Sequence, residues 1–141
     1  MIRVRGLAAR LAAAAVMIPV FVTLSGCADQ GCGSGSASPE EAVRDLIEAV
    51  YSHQPEATIC RYVQANGTQN AITLINSIRT DIDDVGGTSG LTIAVHTQVG
   101  GGWEVAVSTT EKEFGVLSVY LATSRSRYVL SSEPQFDPPL R

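Results

Sequence analysis

The feature that most constrains the fold of this chain is a change of hydrophobic period at Gly90. Before it, apolar residues recur at three- and four-residue spacing: Val43, Leu46, Ile47, Val50 and Tyr51, and again Ile72, Ile75, Ile78 and Ile82. After it the pattern alternates. Leu91, Ile93, Val95 and Val99 interleave with Thr92, His96 and Gln98, and Trp103, Val105 and Val107 interleave with Glu104, Ala106 and Ser108. The first spacing buries one stripe of a helix and the second buries one face of a strand. Helices followed by strands within ~95 residues describe an α+β domain, with N-terminal helices packed on a curved antiparallel sheet of about four strands. One core fills a chain of this size and leaves no room for a second domain.

Local signals place the elements. Ser38-Pro39-Glu40-Glu41 supplies an N-cap, a proline at the first helical position and a glutamate at the capping-box position, so a helix starts there and ends before Pro55. A second, shorter helix is expected from Pro55 to about Ala65, carrying Ile59, Cys60 and Val63 inward and stopped by Asn66-Gly67. A third is expected from about Gln69 to Thr80. Gly100, Gly101 and Gly102 are read as a hairpin loop that sets Val99 against Trp103, and His96 against Ala106. Trp103 then shares a strand face with Val105 and Val107 and should pack under the first helix. Phe114 to Ala122 is apolar on both faces, as expected of a strand covered on each side. Ser126 to Ser131 makes a fourth strand. The proline-rich residues from Glu133 onward read as a C-terminal tail.

The N-terminus carries a separate message. Arg3, Arg5 and Arg10 form a basic start without an acidic residue, and Leu11 to Leu24 is apolar apart from Pro19 and Thr23. This is the plan of a secretory signal, and the run is shorter than the ~20 residues a membrane span requires. An uncleaved anchor or a buried helix is the competing reading. Leu24-Ser25-Gly26-Cys27 closes the run and resembles the lipobox of bacterial lipoproteins. The resemblance implies a signal peptide over 1–26, a diacylglyceryl group (with fatty acids such as palmitate) on the Cys27 sulfur, and a mature chain held on the extracytoplasmic side of the cell membrane. Several acyl chains anchor far more firmly than one, at ~0.8 kcal/mol per buried methylene. Residues 27–37, rich in glycine and serine, read as a flexible tether, residues 38–132 as the domain and 133–141 as the tail.

The domain also resembles small envelope lipoproteins with a nuclear-transport-factor-type or cystatin-like fold, in which an N-terminal helix crosses a curved antiparallel sheet. Ser38-Pro39-Glu40-Glu41-Ala42-Val43 opening the helix and Gly101-Gly102-Trp103-Glu104-Val105 opening a strand carry that resemblance. In that family the Gly-Gly-Trp strand comes last, whereas here two more strands follow.

Loss of residues 1–26 removes three arginines and no acid, so seven Lys and Arg face fourteen Asp and Glu and the mature chain carries net −7. No basic cluster survives to bind a phosphate backbone or an anionic membrane face, which argues against a nucleic-acid partner. With Cys27 committed to lipid, Cys32 and Cys60 would meet an oxidising compartment, where thiols tend to pair; two free thiols, with Cys32 loose in the flexible segment, are the competing reading.

Candidate chemistry is sparse. In the expected register Glu104 is a diagonal neighbour of His96, and a His-Glu pair can do acid-base work; the bland alternative is an exposed polar pair. Asp81-Ile82-Asp83-Asp84-Val85-Gly86 opens like a calcium loop but has Val85 at the fifth position and Thr92 at the twelfth, where a glutamate is required. Gly86 to Gly90 lacks the lysine of a phosphate loop. His53 and His96 are far apart in sequence, no nucleophile motif occurs, and ligands for zinc are too few. The expectation is a lipid-anchored, non-catalytic binding or accessory module for a small apolar ligand or an envelope protein, with no cofactor. The alternative is a small cone-fold isomerase or hydrolase using His96 and Glu104.

Overall fold

A computed structural model describes residues 31–122 and 126–139, and the expected signal peptide (1–26) and Cys27 lie outside them. The chain forms α1 (Pro39–Tyr51), α2 (Glu56–Ile59) continued by a 3-10 turn (Cys60–Tyr62), α3 (Thr68–Ser77) and α4 (Arg79–Asp84). Four strands follow: β1 (Thr92–Val99), β2 (Gly102–Ser108), β3 (Glu113–Leu121) and β4 (Tyr128–Leu130). They make one open antiparallel meander in chain order, so the molecule is an α+β domain with its helices ahead of its sheet.

Helix α1 begins where its capping sequence places it. The Ser38 hydroxyl accepts the Glu41 N–H at 3.2 Å, and Pro39 fills the first turn. The helix packs against all four strands. Its stripe of Ala42, Val43, Leu46 and Ile47 is fully buried with Val105, Val107, Leu117, Val119 and Leu130 of the sheet, each large side chain contributing ~1.5–3 kcal/mol. His53, at φ 56°, ends the helix with its N–H on the Val50 carbonyl.

The second and third helices differ from expectation. After Ile59 the α-helix tightens into the 3-10 turn, and Val63, though buried as expected, is extended and bridged to Leu130. The third helix breaks at Ile78 (φ −107°, ψ 7°) and resumes to Asp84 instead of stopping at Thr80. Arg79 explains the break. Its guanidinium reaches back to the carbonyls of Val50 and Tyr51, both at 3.1 Å, and to Asn76, so the chain turns to bring it over the end of α1. Helix α1 has no basic residue in its own last turn, and Arg79 supplies the cation its dipole favours.

The hairpin register is a correction. Only Gly100 (φ 53°) and Gly101 (φ 87°) form the turn, the two positive angles of a type I′ connection. Val99 therefore pairs with Gly102, Gln98 with Trp103 and Thr97 with Glu104. Left alone, that register would pair Val95 with Ala106 and turn β1's apolar residues away from the core. A bulge at His96 restores the phase, so Val95 pairs with Val105 and Ile93 with Val107.

Both segments expected to be loose are partly docked. In the tether, Gly33 and Gly35 donate to the Cys60 and Arg61 carbonyls at 2.8 Å, and Ser36 exchanges two backbone hydrogen bonds with Tyr128. A Cβ on Gly35 would fall 2.5 Å from the Tyr128 carbonyl oxygen, so the close approach requires glycine. At the other end, Asp137 exchanges two backbone hydrogen bonds with Val116, Phe136 lies against Phe114 and Pro134 is buried. This segment completes the edge of β3 that the short β4 leaves open, and β3 is accordingly covered on both faces only over Gly115, Val116 and Leu117. Trp103 lies on the helix-facing side of the sheet, edge-on to Tyr128 with ring centres 4.9 Å apart, but is only half-buried.

Candidate functional site

Cys32 and Cys60 form a disulfide. Two segments bring them together: the docked residues 33–36 and the 3-10 turn that begins at Cys60. The bond closes 28 residues of chain and, with the Ser36 hydroxyl on Asp45 at 2.6 Å, fixes where the N-terminal segment leaves the domain. It leaves beside Leu121, Ala122 and Val129, at the end of the sheet that also carries the Gly100-Gly101 turn.

The structure does not assemble His96 and Glu104 into an acid-base pair. His96 is the bulged residue, exposed and without a hydrogen bond among the described residues, while Thr97 takes the place opposite Glu104. The sheet does not close into a cone around them. Glu104 lies on the face turned away from the helices, beside a depression of about 220 Å³ lined by Val99, Gly102, Ser118 and Tyr120. Its Oε2 is buried and accepts no hydrogen bond. The sequence pattern placed Glu104 on the correct face, but it carries no signal for the bulge that removes His96 from register.

Residues 131–137, read from sequence as strand end and tail, line two further grooves. One of about 490 Å³ runs between them and α3, bordered by Asn70, Thr73, Leu74, Ser77, Glu133 and Gln135. The other, of about 300 Å³, lies on the outer sheet face with Ser118, Tyr120, Ser132, Glu133 and Asp137 in its wall. Both are open; the first is lined by polar and apolar surface in similar measure and the second largely by polar and acidic groups.

Two of the three carboxylates of the Asp81 to Asp84 segment have protein partners. Lys112 Nζ lies 3.0 Å from Asp81, and the Tyr51 hydroxyl donates to Asp83 at 2.6 Å. That hydrogen bond, aided by burial and the charge of Asp83, raises the Tyr51 pKa above its ordinary value of 10. Among the described residues no group of three or more His, Cys, Asp and Glu is placed to hold a metal ion, and no helix is long and apolar enough to cross a membrane.

Compared with known proteins, the chain matches no family model, no curated sequence and no solved structure.

Proposed function

We propose that the chain is a lipid-anchored lipoprotein of the bacterial cell envelope whose α+β domain is a non-catalytic binding or accessory module. The observation that carries this reading is Leu24-Ser25-Gly26-Cys27 at the close of a basic and then apolar run. The Cys32–Cys60 disulfide supports it, since such bonds persist in the oxidising space beyond the cytoplasm. Between the two kinds of partner, an envelope protein fits better than a small apolar ligand. Small-ligand sites bury most of the ligand in a mainly apolar cavity, whereas the grooves around residues 131–137 are open to solvent. The rival enzyme reading requires His96 and Glu104 in one enclosed pocket, and the bulge sets His96 in solvent.

Detergent-phase partitioning of wild type and Cys27→Ala tests the anchor. Wild type should enter the detergent phase with residues 1–26 removed, and the variant should remain unprocessed or be misplaced. Equal partitioning of both with the signal intact would contradict the proposal.

A further inference from the structure

One end of the sheet is more apolar than a solvated surface requires. Val99, Gly102, Tyr120 and Val129 stand in register as a row across the outer face from β1 to β4, with Val99 and Tyr120 exposed and Gly102 and Val129 buried. A groove of mixed polarity, lined by Gly33, Gln64, Leu121, Ala122 and Val129, joins that row to Cys32. Val99, Tyr120 and Leu121 are 44%, 39% and 49% exposed. The opposite end of the sheet, at the Thr109 to Lys112 turn, carries Glu111, Lys112 and Glu113 and has no exposed large hydrophobic among the described residues.

The chain upstream identifies what lies against the apolar end. Cys27 precedes Cys32 by five residues, and a chain reaches at most ~3.3–3.6 Å per residue, so Cys32 stands within about 17 Å of Cys27. A lipid on the Cys27 sulfur holds that residue at the level of the headgroups. The end of the sheet beside Cys32 is then the end turned toward the bilayer. Resting on the lipoprotein reading of Cys27, we propose that this end docks on the bilayer to which the chain is anchored, with Val99, Tyr120 and Leu121 entering the boundary between headgroups and acyl chains. Tyrosine favours that boundary, where its ring is apolar and its hydroxyl wet. The anchor makes the contact effectively intramolecular, so three side chains suffice where an untethered domain would need more. The contact made by Val99, Tyr120 and Leu121 is apolar and so persists on zwitterionic lipid.

The test uses the full chain purified from membranes and reconstituted in phosphatidylcholine vesicles, with lipidation of Cys27 checked by intact mass. A single tryptophan is placed at the docking end (Leu121→Trp with Trp103→Phe) or at the far end (Glu111→Trp with Trp103→Phe), and lipids brominated near the carbonyl end of the acyl chain serve as quencher. Emission from position 121 should fall at least twofold and that from position 111 should not change. Lipidated protein quenched equally at both positions overturns the docking alone, whereas an unmodified Cys27 overturns the lipoprotein reading beneath it. Shielding of position 121 that depends on protein concentration and not on bromine would assign the surface to a second copy and also overturn the docking. If loss of Trp103 prevents folding, the wild-type chain in bicelles with a headgroup nitroxide lipid answers the same question. The amide signals of Gly100 and Gly101 should broaden while those of Glu111 and Lys112 keep their intensity, and equal intensities would contradict the proposal.

Discussion

Tyr51 shows how a residue on the surface ties two helices together. Its hydroxyl donates to Asp83 of α4, and its ring lies under the Arg79 guanidinium, 5.1 Å from the ring centre. The proton on the phenol is what the carboxylate holds, so the pKa is raised, chiefly by this hydrogen bond. The stabilisation is therefore fully present below the unfolded value near 10 and is lost as pH rises through the higher folded value. Difference titration of wild type against Tyr51→Phe, followed by tyrosinate absorbance, should give a midpoint above 10, and a midpoint at or below it would contradict the contact. The disulfide acts on a larger free-energy scale. Closing 28 residues of chain is worth ~3–4 kcal/mol on the chain-entropy model, so Cys60→Ser should lower the melting temperature by more than about ten degrees. Reduction of wild type should bring it to the same value, and an unchanged melting temperature would show that the N-terminal segment is held without the bond. Cys32 and Cys60 were legible in the sequence from cysteine number and compartment. Tyr51 was legible only as an apolar face position, since nothing local pairs it with a residue 32 positions away.

At the scale of elements, legibility follows how local the cause is. Ser38, Pro39 and Glu41 specify the start of α1 with no help from the rest of the chain, and the structure agrees. The break at Ile78 depends on Arg79 reaching the end of another helix, which no window of sequence contains. The three glycines at 100–102 permit a loop of two residues or of three, and the two alternatives place His96 differently; the alternation of Trp103, Val105 and Val107 is the same in both. The bulge is an inserted residue, because Val95–Val105 and Thr97–Glu104 become successive rungs once His96 is removed. Deletion of His96 should therefore leave the fold intact and the melting temperature within a few degrees of wild type. Loss of cooperative unfolding in that variant would mean that the bulge bends β1 in a way the core requires. Residues 134–137 were illegible for a related reason: their prolines signal an irregular chain, and their hydrogen bonds lie on the edge that β4 leaves open.

For the whole molecule, the balance of legibility reverses. Fold class followed from the change of period at Gly90, and the structure shows the helices ahead of the open four-stranded sheet. The proposed function rests on the N-terminal 27 residues, and the domain contributes the position of its exit point: Cys32 is pinned at the end of the sheet where Val99, Tyr120 and Leu121 are exposed. The proposed acid-base site did not assemble because its two residues were assigned by alternation alone, and one bulge breaks alternation. Whether Cys27 is the lipidated N-terminus of the mature chain is read from the intact mass of protein extracted from its native membrane. A lipidated chain should begin at Cys27 and be heavier than its amino acids by a diacylglyceryl group, with or without a further acyl chain. A mass equal to the unmodified polypeptide, whether starting at Met1 or at any later residue, would contradict lipidation of Cys27.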